Sequence, residues 1–317
     1  MNDAPMPCRT CRSDRPPANA LVDVRGLHVR YGRFEAVKGV SFSLGAGEIL
    51  GIVGESGSGK STIAKALIGL ECASSGEVSV ADGVSMQMIF QDAVGSLNPR
   101  MTVRQTLDEV IRIEGRRKKE KGKSADGKSA EELLSLVGLS SAVLEQYPRE
   151  MSGGQCQRVS VARALACSPQ VLIADEPVSA LDVSVQARVL NLLRDLRRTL
   201  GLSILLIAHD LAVVKNVCDR ICVMEKGLFV DAGPAEEVFA NPTSDYTKRL
   251  LSAVPRIENV AAPLLPSSPR NGRIHMFLPK TRQCTNGERR GSGYRGHGDR
   301  NKGSPGHDVQ GSARERA

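Results

Sequence analysis

The chain contains no tryptophan, and aromatic residues make up only 3% of its 317 positions. The core must therefore be aliphatic, and the sequence supplies short runs of Val, Ile and Leu of the kind found in parallel sheets covered on both faces. No apolar run approaches the roughly 20 residues needed to cross a bilayer, and no signal-peptide pattern opens the sequence. A cytosolic setting is expected, with any membrane association made through a partner. The 8 cysteines are scattered rather than framed, which suits reduced thiols. Cys8-Arg9-Thr10-Cys11 has no second C-x-x-C to complete a tetrahedral metal site, and it is read as part of a disordered leader over residues 1–20. Cys218 and Cys222, flanking an apolar strand, are read as packed rather than ligating.

The net charge of +8 invites a nucleic-acid reading, but its placement argues against one. Between Pro263 and Ala317 stand 11 Lys/Arg against 4 Asp/Glu, a charge of +7 that leaves only +1 for the first 262 residues. That stretch is rich in Gly, Ser and Arg, and residues 256–317 are expected to form a disordered basic tail. A second basic run, Arg116-Arg117-Lys118-Lys119-Glu120-Lys121-Gly122-Lys123, is read as a charged loop rather than a headgroup-binding surface.

Against these absences stands one motif. Gly54-Glu55-Ser56-Gly57-Ser58-Gly59-Lys60-Ser61-Thr62 fits the phosphate-loop pattern G-x-x-x-x-G-K-[ST] without a mismatch. The buried-strand run Ile49 to Val53 precedes it, and a helical stretch, Thr62 to Leu70, follows. Glycines at 54, 57 and 59 allow backbone N–H groups to turn around a β-phosphate, and the helix adds its positive end. Lys60 is expected to reach the β- and γ-phosphates, and Ser61 to place its hydroxyl on Mg²⁺.

A phosphate loop alone leaves kinase, GTPase and ATPase open. The apolar run Val171-Leu172-Ile173-Ala174 reads as a second buried parallel strand and ends in Asp175-Glu176-Pro177, at the end where α/β sheets bind ligands. Asp175 is expected to hold Mg²⁺ through its water shell, and Glu176 to orient or deprotonate the attacking water. Between these elements, Met151-Ser152-Gly153-Gly154-Gln155 opens a helical segment, Cys156 to Cys167. Ser152 is a good N-cap, and Gly153 and Gly154 would let a phosphate approach that helix N-terminus closely. One subunit cannot easily present both glycine loops to one nucleotide, which disfavours a P-loop kinase.

At this point the chain resembles the ATP-binding-cassette (ABC) ATPases of membrane transporters, whose signature loop contacts the nucleotide held by the opposite subunit. Met151 replaces the usual Leu, a volume-conserving exchange. The resemblance implies roles for further residues. Tyr31 would stack on adenine, Gln91 would sense Mg²⁺ and the attacking water in a loop facing the transmembrane partner, Asp182 would lie in a loop crossing the dimer interface, and His209 would contact the γ-phosphate. Leu97-Asn98-Pro99-Arg100, Tyr147-Pro148, Gly153 to Arg158, Asp175 to Val183, His209 to Lys215 and the segment Asn241 to Pro255 resemble more narrowly the oligopeptide/dipeptide importer ATPases, and among these the second of the two ATPase subunits.

That resemblance runs from about Leu21 to Pro255. It implies an α/β P-loop NTPase of ABC ATPase type, with a RecA-like parallel sheet core, an antiparallel β edge, a helical subdomain over about residues 96–146 and a short C-terminal extension over 231–255. Leu133, Leu134, Leu136 and Val137, at helical spacing, are expected to pack the small core of the helical insertion. No internal repeat is apparent, so a single cassette is expected.

ATP and Mg²⁺ are the expected cofactors. The expected partners are a second ATPase subunit, identical or not, two integral membrane permease subunits and, indirectly, an extracytoplasmic solute-binding protein; nucleic acid is not expected. The implied place is peripheral, on the cytoplasmic face of the inner membrane. The alternative from another class is a soluble ABC-type ATPase clamp acting on nucleic acid or ribosomes, but such proteins usually carry two cassettes or long coiled-coil insertions.

Three departures stand out. Ala93 follows Phe90-Gln91-Asp92 where the family usually has Pro, which would loosen that loop. The interval from Lys60 to Gln91 is short for the subfamily, so a trimmed antiparallel edge is expected. Cys284 alone lies where some relatives carry a cysteine-rich iron–sulfur segment, so no cluster is expected.

Overall fold

A computed structural model describes residues 19–120, 127–179 and 181–253. By contacts the chain divides into a unit over residues 1–258 and another over 259–317, and all described residues belong to the first. The Cys8/Cys11 leader, the basic tail with Cys284, the last two residues of the expected extension (254–255), the lysines at 121 and 123, and Ala180 lie outside the described residues.

The centre is a six-stranded sheet. Strand β3 (Ile49–Val53) has β7 (Ser203–Ala208) on one side and β8 (Arg220–Glu225) on the other, and the sheet continues through β6 (Val171–Asp175) to β5 (Met86–Ile89) and through β8 to β9 (Leu228–Pro234). All pairs are parallel except the β8–β9 hairpin. Strands β3, β6 and β7 are buried at every position, as their continuous apolar sequences require.

Alternate residues of each strand enter different cores. Ile49, Val53, Leu172, Ala174, Ile204 and Leu206 pack with the helices on one face. Leu50, Ile52, Ile173, Leu205 and Ile207 pack with the other layer. That second layer is α1 (Lys60–Leu67) together with an antiparallel sheet of β2 (Phe34–Gly45), β1 (Ala20–Tyr31) and β4 (Ser75–Val80), in that order. The mostly exposed β4 lies only five residues before β5.

The insertion is helical as expected. It comprises α2 (Val103–Glu120), α3 (Ala130–Leu136) and a 3₁₀ turn at Ser141–Glu145. Leu133, Leu134 and Val137 are buried between them and α4 (Gly153–Leu165). α3 starts at a full capping box, in which Ser129 and Glu132 exchange side-chain and backbone bonds. α5 (Val183–Leu200) and α6 (Leu211–Lys215) cover the helical face, and α7 (Ala235–Ala240) and α8 (Asp245–Ala253) close the C-terminal side. Cys218 is buried just before β8, whereas Cys222 lies within β8 rather than flanking it, and both thiols are free.

Several helix bounds differ from the sequence reading: α1 begins at Lys60 rather than Thr62, α4 ends at Leu165 rather than Cys167, and Arg116 to Glu120, read as a loop, are the last residues of α2. α1 stops at Leu67 rather than Leu70, because Gly69 takes a left-handed φ of 77°. α4 begins at Gly153 rather than Cys156, because Ser152 and Gln155 form a capping box around its first turn.

Candidate active site

The parallel register brings four chain segments to one edge of the sheet. Val53 pairs with Ala208, Ile207 with Asp175 and Ala174 with Ile89, so the loops leaving β3, β7, β6 and β5 emerge together. Those loops carry Lys60, His209, Glu176 and Gln91.

The loop from Gly54 to Gly59 is held tightly. A side chain at Gly54 would place its Cβ 2.1 Å from the Met224 carbonyl oxygen, and one at Gly59 would come 2.5 Å from that of Ala36 while also needing φ 110°. Only glycine meets both conditions at 59. Ser58 N–H donates to the Glu55 carbonyl (3.2 Å), and Gly227 N–H donates to that of Ser58 (2.9 Å). The N-terminus of α1 has no side-chain cap and no acidic residue in its first turn. Lys60, 3% exposed, folds over the loop and donates to the carbonyls of Gly54 and Glu55, each at 2.8 Å. Burial lowers its pKa, opposed by the carboxylates of Glu176, Asp175 and Glu55.

Ser61 Oγ donates to Asp175 Oδ1 at 2.9 Å, pairing two oxygens at the loop's far end. Asp175 is 4% exposed, and burial pushes its pKa up against the opposing bond from Ser61. Glu176 follows in the left-handed region, φ 44°, a conformation costly for a residue with a Cβ. Its backbone holds that turn: the N–H donates to Ile207 O (3.0 Å), and the carbonyl accepts from the Ser179 amide (3.3 Å) and hydroxyl (3.2 Å). The side chain is thereby aimed at the strand ends. Gln91 Nε2 donates to Glu176 Oε2 at 2.9 Å, His209 Nδ1 lies 3.7 Å from the same oxygen, and Lys60 Nζ lies 3.8 Å from Oε1.

Tyr31, 44% exposed at the end of β1, has its hydroxyl within reach of the Thr62 and Glu71 side chains. The phenol is therefore beside the last residue of the phosphate loop. Ser152 Oγ accepts from Gln155 N–H (3.3 Å) while Gln155 Oε1 accepts from Ser152 N–H (2.9 Å). The two glycines differ in how much room surrounds them, and only Gly154 is required by packing within the subunit. A Cβ at Gly154 would stand 2.6 Å from Val185 Cγ1, and one at Gly153 would stand 3.4 Å from Leu181 Cδ2. Asp182 is the exposed N-cap residue of α5, with no side-chain bond to that helix. A cavity of ≈ 350 Å³ opens beside Gln91, lined by Ala93, Val94, Gly153, Gln157 and Leu181 among others.

Ala93 does not leave its loop untied. Its carbonyl accepts from Ser96 Oγ (2.9 Å), and Asp92 Oδ1 accepts from Gly95 N–H (2.8 Å). From α4, Arg163 donates to the Ser96 carbonyl at 2.5 Å. No pattern in the sequence marks Arg163, and Tyr246 stands out there only as part of a family-like segment. Tyr246 Oη accepts from Glu55 N–H at 3.0 Å, a pairing across 191 positions that no local pattern signals.

A phosphate loop after the central strand, a carboxylate pair after the next but one, and a helical insertion between them define the class: a P-loop NTPase. The comparisons narrow it. The ABC transporter family profile matches residues 37–179. The oligopeptide transport ATP-binding protein OppF of Bacillus subtilis is 44% identical over 288 residues, covering 84% of this chain and 91% of the relative. OppF of Salmonella typhimurium is 48% identical over 236 residues, covering 70% of each. Among solved structures, the dimeric ATP-binding cassette MJ0796 in a post-hydrolysis state bound to ADP and Pi superimposes with TM-score 0.56 and 27% identity, covering 68% of this chain and 98% of that one. The chain belongs to the ABC transporter family, as an ATP-binding, ATP-hydrolysing subunit.

Proposed function

We propose that this ATPase drives import of peptides or related small solutes through separate membrane subunits, and that its site residues act as follows. Loop 54–62 holds the ATP phosphates, with Lys60 on the β/γ pair and adenine against Tyr31. The buried Ser58 hydroxyl, which has no protein partner, suits a loop that completes its hydrogen bonds on a phosphate. Ser61, Asp175 and Gln91 offer only oxygen donors, the set a hard Mg²⁺ ion takes from a protein when phosphates and water fill its other positions. That ion, when bound, neutralises charge between the β- and γ-phosphates. Glu176 takes the proton of the attacking water, with Gln91 orienting its carboxylate and His209 contacting the γ-phosphate.

The single observation that carries this reading is the convergence of Lys60, Gln91 and His209, from three different strand ends, on the strained Glu176. A second ATPase subunit, identical or not, supplies Ser152, Gly153, Gly154 and Gln155 to the same nucleotide, with Asp182 near the seam. Residues 21–255 form the cassette in this reading. The exposed Phe90 and Val94 and the cavity beside Gln91 form an apolar landing site for a permease segment. Among the described residues no helix is long and apolar enough to cross a membrane, so the two permease subunits would hold the protein at the cytoplasmic face, fed by an extracytoplasmic binding protein.

Two measurements test this. Lys60→Ala should abolish ATP hydrolysis, and near-normal turnover would sink the site assignment. Crosslinking from position 94 in membranes should capture integral membrane subunits; ATPase activity stimulated by RNA instead would favour the clamp.

A further inference from the structure

The segment from β9 to α8 lies outside the strands that carry the candidate site, yet it reaches the phosphate loop. Asp231, 3% exposed in β9, accepts from the backbone N–H groups of Thr243 (3.3 Å) and Ser244 (3.0 Å) and from the Thr243 hydroxyl. These bonds fix the turn that starts α8. Ser244 Oγ then accepts from Tyr246 N–H at 3.2 Å. The first turn of α8 delivers the Tyr246 ring into the core, 6% exposed, with the Arg249 guanidinium 5.9 Å from the ring centre.

The hydroxyl accepts the Glu55 N–H at 3.0 Å. In the same planar peptide unit, the Gly54 carbonyl accepts from Lys60 Nζ at 2.8 Å. Tyr246 and Lys60 thus grip the two polar groups of one rigid plane, and fixing one end fixes the other. We propose that Tyr246 is a positioning residue for the nucleotide site: through the Gly54–Glu55 peptide it sets the path of the loop and the seat of the Lys60 ammonium, so that the order of α8 and the affinity for ATP are coupled. This rests on the reading that loop 54–62 holds ATP.

Tyr246→Phe in the full chain removes one oxygen and leaves the ring. Calorimetric titration with ATP should show a Kd roughly 3- to 10-fold higher, the worth of one net hydrogen bond. Amide hydrogen exchange at Glu55 should quicken, and kcat at saturating ATP should stay within about twofold while KM rises with Kd. Thr243→Val, which cuts one bond on Asp231, should move the same parameters in the same direction. The double variant should then bind ATP no more weakly than Tyr246→Phe alone, since both act through one contact. Unchanged Kd and Glu55 exchange in Tyr246→Phe would overturn the proposal, whatever happens to Tm. Lys60→Ala separates the two levels. If it loses ATP while Tyr246→Phe binds normally, only the positioning role fails. If it binds ATP like the parent, the nucleotide reading fails and this inference falls with it.

Discussion

Gln91 donates a 2.9 Å hydrogen bond to Glu176 across 85 positions of sequence, joining the loop after β5 to the carboxylate after β6. The two strands are neighbours in register, Ile89 beside Ala174, so the bond follows from sheet order. The Glu176 backbone is fixed in its left-handed turn by Ile207 and Ser179, which leaves side-chain rotation as its remaining freedom. Gln91 restrains that rotation.

Gln91→Ala should therefore lower kcat by roughly 10- to 100-fold, the range expected when a reacting group is misplaced by about 1 Å. ATP affinity should hold, because the Lys60 and Ser61 bonds are untouched. Steady-state kinetics with a parallel binding titration checks this, and a rise in Kd matching the loss in kcat/KM would assign Gln91 to binding instead.

Asp175 carries a pH-dependent stability cost. Burial raises its pKa in the folded state above the ordinary 3.8, so between the two values the folded chain holds a proton that the unfolded chain releases. Stability falls as pH rises through that window, and at neutral pH the buried carboxylate is a net burden until a cation joins it. Asp175→Asn should raise Tm at pH 7 without Mg²⁺ or nucleotide, with the gain shrinking towards pH 4, while Mg²⁺-dependent hydrolysis is lost. Calorimetric scans at the two pH values decide it; a lower Tm at pH 7 would show that the charge stabilises the fold through Lys60.

The two glycines after Ser152 should separate packing from function. A methyl group at 154 meets Val185 Cγ1 at 2.6 Å, so Gly154→Ala should cost about 1–3 kcal/mol of stability despite its better helix propensity. At 153 the nearest atom is 3.4 Å away, and Gly153→Ala should leave Tm unchanged or slightly raised. Hydrolysis should fall in both, because the proposed dock for the partner's nucleotide is lined by this backbone. Normal turnover in Gly153→Ala would remove the glycine from that interface.

What was legible in the sequence follows from burial. β3 and β6 are buried on both faces, so they read as unbroken apolar runs, and the ends read from the sequence lie within a residue of those seen. Gly54, Asp175 and Glu176, residues of the proposed site, stand at those ends and are legible with them. Ile68 and Leu70 continue the apolar pattern of α1 on both sides of Gly69, and only backbone conformation stops the helix there. Propensity alone places the start of α4 too late, because Gly153 and Gly154 are poor helix formers and the capping box overrides them. The Tyr246–Glu55 and Arg163–Ser96 bonds lay beyond reach, since each joins segments that only the folded chain brings together.

Closure and chemistry can be separated with Glu176 and Ser152 together. Glu176→Gln keeps the shape of the side chain and removes the base, so hydrolysis should fall by roughly 10² to 10⁴-fold while ATP binding survives on Lys60, Ser61 and Asp175. The ATP-bound closed dimer should then accumulate. Adding Ser152→Arg puts a bulky cation where the partner's γ-phosphate would dock, and it should dissolve that dimer without emptying the phosphate loop. Ser152 also caps α4, and losing that cap costs about 1 kcal/mol. Ser152→Ala, which loses the cap without adding bulk, therefore serves as the control and should keep more of the dimer. Sedimentation with and without ATP should be run on this chain alone and on a co-expressed pair of ATPase subunits. The two-subunit mechanism fails if ATP drives no association in either setting, or if Glu176→Gln hydrolyses ATP at the parental rate.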